Sequence, residues 1–182
     1  MSSILQSITL AGGCFWCTEA VFKRVRGVTE VQSGYANGDV ADPSYEQVCS
    51  GHTGHAEAVR VTFDPAEIGL RDILQIFFAT HDPTTPNRQG NDVGTQYRSG
   101  IYYSDPTHEQ VAAVLLHQLQ QEQAFSAPTV TELQPLVNFW PAESYHQDFY
   151  ERNPNQGYCN FVVAPKVSKF RKTFARHLKP DA

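Results

Sequence analysis

The chain has 182 residues, of which 41% are hydrophobic and 12% aromatic, enough for one domain with a substantial core. Its formal net charge of −5 argues against nucleic acid or an anionic membrane surface as a partner. No apolar run reaches the roughly 18 residues of a membrane span, and residues 1–6 lack the basic start and apolar core of a signal peptide. We therefore expect a cytoplasmic protein of one domain.

Strand and helix patterns alternate along the chain without a linker or an internal repeat. Alternation with period two predicts strands, and apolar spacings of three and four residues predict helices. The predicted strands are 7–10, 28–35, 57–63, 98–103 and 129–133, and the predicted helices are 17–22, 70–78, 106–119, 143–150 and 166–179. This order indicates an α/β or α+β fold built in layers. The last helix carries six Lys and Arg residues, which we interpret as a solvated face.

Two long segments, 81–96 and 153–164, are rich in Gly, Pro, Asn and Asp. Structureless loops of that length are uncommon unless they serve a function. We expect both segments to border a functional site, and we expect 153–164 to be flexible.

The most informative stretch is GCFWC at residues 13–17. Cys14 follows a glycine pair and precedes the first predicted helix, where unpaired backbone N–H groups stabilise an anion and lower the pKa of a thiol. A reactive thiolate is one interpretation; a small buried hydrophobic residue beside two core aromatics is the other.

The cysteines admit further interpretations. Four cysteines without a signal peptide do not indicate a structural disulfide framework. Cys14 and Cys17 form a C-x-x-C motif of the kind used in dithiol exchange. With His52 and His55 they also resemble a zinc ligand set, although 34 residues between Cys17 and His52 exceed the usual spacing.

Five other residues are candidates for chemistry. Glu57 opens an apolar strand, where desolvation would raise its pKa and suit it to act as a general acid; an exposed strand end is the alternative. Tyr45 and Tyr97 carry hydroxyls that can donate to a substrate oxygen. Asp92 is as consistent with loop organisation as with binding. Cys159 has two interpretations: a thiol in a flexible segment that moves toward a distant thiol, or an incidental loop cysteine.

Together these motifs resemble the peptide methionine sulfoxide reductase A family. The similarity extends from about residue 9 to residue 178. The matching blocks are GCFWC (13–17), SYEQVCSG (44–51), TGHAE (53–57), GNDVGTQYRS (90–99), FWPAE (139–143) and YHQ (145–147).

The resemblance implies a two-layer α/β (α+β) sandwich with a split βαβ, ferredoxin-like plait and extensive coil. It also implies reduction of methionine S-sulfoxide, free or in proteins, without a cofactor, in a single catalytic domain spanning 1–182 and acting as a monomer. The implied roles are nucleophile for Cys14, acid for Glu57, and substrate binding for Phe15, Trp16, Tyr45, Asp92 and Tyr97.

In the family, a second thiol converts the sulfenic acid of the nucleophile to a disulfide, which thioredoxin reduces. Many members relay that disulfide through two cysteines in a glycine-rich tail, whereas here only Cys159 lies in the late segment. The resemblance therefore implies a Cys14–Cys159 disulfide reduced directly. Cys17 is the competing thiol, disfavoured by strain within a helical turn, and Cys49 is expected to be a passive packing thiol.

Overall fold

The structure is a computed structural model and describes residues 4–182. Its strands are β1 (Gln6–Gly12), β2 (Val28–Ala36), β3 (Ala56–Phe63), β4 (Arg88–Gln89), β5 (Asp92–Val93), β6 (Ser99–Tyr103), β7 (Glu132–Pro135) and β8 (Phe139–Pro141). Its α-helices are α1 (Phe15–Phe22), α2 (Tyr45–Cys49), α3 (Leu70–Ala79), α4 (Pro106–Gln121), α5 (Phe149–Arg152) and α6 (Ala164–Thr173).

Six strands form one sheet in the order β7-β6-β1-β3-β2-β8. Both β1 and β2 are antiparallel to β3, which lies between them, so the β1–α1–β2 connection joins two parallel strands across a third. The β3–α3–β6 connection repeats this arrangement around β1. Two such interleaved split βαβ units confirm the ferredoxin-like plait expected from the sequence.

The two sheet faces differ in what covers them. On β3, alternate side chains point to opposite faces, and Val59, Val61 and Phe63 are fully buried in the main core with residues of α1 and α3. Glu57 lies two residues before Val59 and is 1% exposed. The other face carries a smaller cluster of mostly small side chains: Ala11, Ala36, Ala56, Ala58 and Tyr102.

Tertiary contacts alter several predicted elements. The strand predicted at 129–133 begins at Glu132 and pairs with β6 in parallel. The helix predicted at 143–150 is divided into a 3₁₀ turn, Ser144–His146, and α5, because Asp148 adopts a left-handed backbone with φ of 58°. The segment 81–96 contains β4, β5 and part of a 3₁₀ turn, Thr95–Tyr97.

The segment 153–164, predicted to be flexible, is largely helical in this structure. The chain is helical from residue 157, with a π-helical turn at Cys159–Val163 that continues into α6. Cys159 and Val163 are fully buried, which gives this segment an apolar anchor that its Gly and Asn content does not suggest. Pro165 removes an N–H from the helix just beyond the wide turn, which favours an irregular hydrogen-bond pattern there.

Across residues 4–182, none of the helices combines the length and apolar character required to cross a membrane.

Candidate active site

The turn between β1 and α1 fixes the position of Cys14. Gly13 has φ of +92°, a conformation that L side chains rarely adopt, and a Cβ there would lie 2.5 Å from Cγ of Gln89. Cys14 is the residue immediately before α1 and is 9% exposed. The glycine is therefore required for both the backbone turn and its close contact with the 81–96 segment.

The carboxyl group of Glu57 lies beneath this turn. The backbone N–H of Phe15 donates to Oε1 of Glu57 at 3.2 Å, while Oε2 is buried without a hydrogen-bond partner. Burial raises the pKa of Glu57 to about 8, the Phe15 N–H opposes the rise, and the charge of Asp92 adds to it. The elevated pKa expected for a carboxyl on this strand face is confirmed.

The pKa of Cys14 departs from the sequence expectation. Burial raises the pKa of Cys14 well above its ordinary value; a hydrogen bond with the Cys17 side chain and the charge of Glu57 raise it further. A lowering contribution from the Trp16 backbone is outweighed. Of the two interpretations of Cys14, the lowered pKa of a reactive thiolate is not found and the buried environment is, because desolvation exceeds the effect of the helix terminus.

Cys17 shows the opposite shift. Its hydrogen bond with Cys14 lowers its pKa despite burial, and Lys166 and the Tyr158 side chain act in the same direction. The opposite shifts of the two pKa values favour negative charge on Cys17 over Cys14.

Phe15 and Trp16 occupy different environments. Phe15 is 1% exposed and packs with Tyr35, Tyr45 and His146 at centroid distances of 5.7, 6.5 and 5.1 Å. Trp16 is only partly buried, so it presents the more accessible aromatic surface beside Cys14.

Two contacts hold the Trp16 ring. Its indole N–H donates to Nδ1 of His146 at 3.0 Å, and its face stacks on Phe149 at 3.7 Å with an interplanar angle of 4°. Nε2 of the fully buried His146 has no partner. Because burial lowers the pKa of His146, the ring is a neutral hydrogen-bond acceptor for Trp16.

The hydroxyls of Tyr45 and Tyr97 lie near Glu57. Burial raises the pKa of each tyrosine, and the charge of Glu57 contributes in both cases. Tyr45 begins α2 and its side chain hydrogen-bonds with Cys49. The turn bearing Tyr97 is tied to the end of α2, since the Gln96 amide donates to the Cys49 carbonyl at 3.3 Å.

Asp92 binds a residue beside the late cysteine. The hydroxyl of Tyr158 donates to Oδ2 of Asp92 at 2.6 Å, and the Tyr158 ring meets Trp16 edge-on at 5.7 Å. Cys159 itself is fully buried, and the charge of Cys17 contributes to raising its pKa, after burial. The structure thus brings Cys14, Cys17 and the 158–159 pair to one end of α1.

Two other expectations need correction. Cys49 is exposed and its side chain interacts with that of Tyr45, so it is not a passive packing thiol. The zinc arrangement is not formed: Nδ1 of His55 accepts from the Gly38 N–H, and Nε2 bonds the Val40 carbonyl at 2.7 Å. His55 organises its own loop, while His52 is exposed.

Sequence reasoning missed several residues around the site. Glu143 accepts from the Tyr35 hydroxyl at 2.8 Å and from the Tyr45 N–H at 3.0 Å. His146 and Tyr158 hold Trp16 and Asp92 as described. Glu143 and His146 lie in blocks that matched the family, which was the only signal in the sequence; their contacts span about a hundred residues.

A cavity of about 660 Å³ lies elsewhere, between α3, α4 and α6, and its lining includes Gln89 and Lys166 but none of the cysteines. The catalytic interpretation therefore depends on the Cys14 turn and not on this cavity.

Comparison with known proteins agrees with this geometry. A family model described as peptide methionine sulfoxide reductase matches residues 6–178. The chain belongs to this family. It is accordingly an oxidoreductase that reduces peptide methionine sulfoxide.

Individual relatives support the assignment. A Deinococcus radiodurans peptide methionine sulfoxide reductase MsrA is 55% identical, over 93% of this chain and 82% of the relative. Reduced Mxr1 from Saccharomyces cerevisiae has a TM-score of 0.80 and 37% identity, covering 85% of this chain and 89% of its own. Mxr1 in complex with Trx2 gives a TM-score of 0.57 and 25% identity, covering 82% and 89% respectively.

Proposed function

We propose that this reductase acts on the S epimer of methionine sulfoxide, free or in proteins, with Cys14 as nucleophile and Glu57 as general acid. The observation that carries the proposal is the Glu57 carboxyl, buried against the Phe15 N–H next to Cys14 and with a pKa near 8. A carboxyl that keeps its proton at neutral pH is suited to protonate a sulfoxide oxygen, which is otherwise a poor leaving group.

The reaction balances with groups of the chain. The Cys14 sulfur attacks the substrate sulfur as thiolate, and Glu57 protonates the sulfoxide oxygen. In the resulting adduct the substrate S–O bond breaks, the hydroxyl is transferred to the Cys14 sulfur, and the S–S bond breaks to release methionine. Cys14 is left as a sulfenic acid, so the substrate sulfur is reduced and the Cys14 sulfur is oxidised by the same two electrons. The proton originally held by the Cys14 thiol returns to Glu57. The charge preference of the Cys14–Cys17 pair supports Cys17 as the first acceptor of that proton.

Substrate recognition follows from the surrounding side chains. The Trp16 face and the Phe15 edge supply an apolar surface for the ε-methyl group. Tyr45 and Tyr97, whose raised pKa values keep their hydroxyls protonated, donate to the sulfoxide oxygen. Asp92 orders the pocket through Tyr158.

We propose Cys159 as the resolving thiol. Its thiol condenses with the Cys14 sulfenic acid, forming the disulfide and releasing water. The proximity of Tyr158 to Trp16 supports this pairing, since the 158–159 segment reaches the rim of the pocket. Cys17 shares the C-x-x-C motif with Cys14 and influences its pKa, so it is the alternative partner that an experiment must exclude.

Thioredoxin is the proposed reductant, supported by the structural similarity to Mxr1 in its Trx2 complex. A dithiol attacks the Cys14–Cys159 disulfide and leaves both thiols reduced. All proposed site residues come from one chain, which supports a monomer. The four free cysteines fit a reducing cytoplasm.

Epimer-resolved turnover tests the proposed reaction. Racemic methionine sulfoxide with dithiothreitol should lose only its S epimer. Glu57→Gln, which retains an acceptor for the Phe15 N–H, should slow kcat by about 10²- to 10⁴-fold, the usual contribution of a general acid. Consumption of the R epimer, or unchanged turnover in Glu57→Gln, would refute the proposal.

Mass spectrometry of the oxidised enzyme tests the resolving thiol. After one turnover, Cys159→Ser should accumulate a Cys14 sulfenic acid, whereas Cys17→Ser should form a Cys14–Cys159 disulfide. Rapid formation of a Cys14–Cys17 disulfide in Cys159→Ser would assign the resolving role to Cys17.

A further inference from the structure

The Trp16 ring forms one wall of the proposed substrate pocket, and the segment 147–149 connects this wall to the rest of the fold. Gln147 accepts from the Ser33 N–H at 2.9 Å and donates to the Ser33 carbonyl at 2.9 Å, which fixes the segment to β2. Asp148 then takes its left-handed conformation and Phe149 stacks flat on Trp16. The direction of the chain at Asp148 therefore determines where Phe149 lies.

Glu19, a residue of α1, fixes this turn through its side chain. It is fully buried, and its Oε2 accepts from the Asp148 backbone N–H at 3.1 Å and from the Ser33 hydroxyl at 3.4 Å. Its Oε1 is buried without a partner. Glu19 lies one helical turn after Trp16, so one helix carries both the aromatic wall and the acceptor that orients its neighbour.

Charged groups surround Glu19. One carboxylate oxygen from each of Glu19, Asp148 and Glu151 lies within 4.8 Å of the other two. Just beyond the end of α1, Lys23 pairs with Asp148, and the next residue, Arg24, pairs with Glu151 at 2.6 Å. The cations facing the cluster are therefore already engaged with these two acids.

The buried carboxyl is tuned by this environment. Burial raises the pKa of Glu19 to about 7; Lys23 opposes the rise and Glu151 adds to it. Glu19 is therefore partly protonated near neutral pH. Protonated or ionised, it retains an oxygen that can accept the Asp148 N–H, so a neutral amide should replace it.

We propose that Glu19 is a positioning residue for the methyl pocket, holding the Asp148 N–H so that Phe149 braces Trp16. Nothing in the reaction described above uses Glu19, and it is not placed to touch the substrate. The inference rests on the proposed role of Trp16 in receiving the substrate methyl group. Without the Glu19 carboxyl, the Asp148 N–H loses its acceptor and the turn at Asp148 is no longer fixed. Phe149 then leaves the face of Trp16, and the Trp16 ring becomes mobile.

The test compares Glu19→Ala with Glu19→Gln. Glu19→Ala should raise KM for methionine sulfoxide by about 3- to 10-fold, the equivalent of one hydrogen bond, with kcat within about twofold. Glu19→Gln should restore KM, because its amide oxygen accepts the Asp148 N–H and its NH₂ faces the Asp148 and Glu151 carboxylates. In a Trp140→Phe background, acrylamide quenching of Trp16 fluorescence should increase in Glu19→Ala only.

Two further variants separate positioning from general stability. Phe149→Ala removes the brace directly, and combining it with Glu19→Ala should give no additional KM increase, because both act through one contact. Glu151→Gln changes the charge of the same cluster without touching the Asp148 N–H and should leave KM unchanged.

An unchanged KM in Glu19→Ala, additive effects with Phe149→Ala, or failure of Glu19→Gln to restore KM would overturn the inference. These outcomes presuppose a wild-type enzyme that turns over methionine S-sulfoxide. An inactive wild type would instead refute the proposed function, so the two failures are distinguishable.

Discussion

Cys14 and Glu57 share one desolvated turn, and burial displaces the pKa of each upward. Both groups therefore hold protons in the ligand-free enzyme. For Glu57 this is the state required of an acid, whereas for Cys14 it is the less reactive state. The reaction thus requires a proton to leave Cys14 when substrate occupies the pocket.

The Glu57 pKa predicts a specific pH dependence of stability. Because the folded pKa of about 8 exceeds the unfolded value of about 4.3, the folded state binds the proton more tightly. The contribution of Glu57 to the free energy of unfolding is therefore fully present below about pH 4, and it is lost as the pH rises to about 8. Urea unfolding should show that wild type loses about 3 kcal/mol more than Glu57→Gln between about pH 6 and pH 9.

Other groups that titrate in this range, including Glu19, are common to both proteins and cancel in the comparison. An equal loss of stability in wild type and Glu57→Gln would show that the Glu57 carboxyl ionises normally in the folded state.

The Cys14 pKa predicts slow alkylation. The pH midpoint for iodoacetamide modification of Cys14, followed by peptide mass spectrometry without substrate, should lie above the roughly 8.5 of an ordinary thiol. Exposed Cys49 serves as an internal measure of reagent activity. A Cys14 midpoint below about 8 would support the helix-terminus effect over desolvation.

The two residues show what sequence can predict at this scale. Alternation along β3 was sufficient to place Glu57 on an apolar face and to predict the direction of its pKa. The pKa of Cys14 is the result of opposed effects, and their balance depends on burial and on the charge of Glu57, a residue distant in sequence.

At the scale of elements, the β1–α1 turn depends on a glycine. Gly13→Ala should destabilise the protein by about 1–3 kcal/mol, because the added Cβ requires an unfavourable positive φ and meets Gln89. Gly157→Ala is the matched control: it has open space around its Cβ and lies in the helix, so it should be neutral or stabilise by about 0.5–1 kcal/mol.

Urea denaturation of the two variants measures this difference directly. Equal stability of Gly13→Ala and wild type would mean that the β1–α1 turn relaxes without cost.

Elements with strong periodicity were predictable and irregular ones were not. The structure has β3 and α3 within one residue of their predicted bounds, since apolar spacing alone defines them. The region 143–150 was predicted as one helix because its composition permits one; the hydrogen bond from the Asp148 N–H to Glu19 stabilises a break there instead. Parallel pairing of β7 with β6 likewise has no local signal.

At the scale of the molecule, the two split βαβ units make β1 and β3 adjacent. The end of one strand therefore carries Cys14 and the start of the other carries Glu57, although 42 residues separate Phe15 from Glu57. The spatial arrangement of the site follows from topology, which the order of the predicted elements allowed but the family resemblance was needed to specify.

One core predicts one unfolding transition. The main cluster includes residues of β1, β3, α3 and α6, among them the fully buried Phe170. Thermal unfolding followed by far-UV circular dichroism and by tryptophan fluorescence should give coincident curves. An earlier helical transition would show that residues 157–173 unfold apart from the domain.

The π-helical turn at Cys159–Val163 has a consequence for partner release. In the proposed reaction, Cys159 reaches Cys14 by unwinding of this turn, while Val167 and Phe170 of α6 keep their own buried sites. With the proposed disulfide, the oxidised enzyme presents an unwound strand to its reductant, whereas the reduced enzyme presents a helix. Once the disulfide is reduced, the helical turn can refold. The surface bound by the reductant is then lost, and the reductant dissociates.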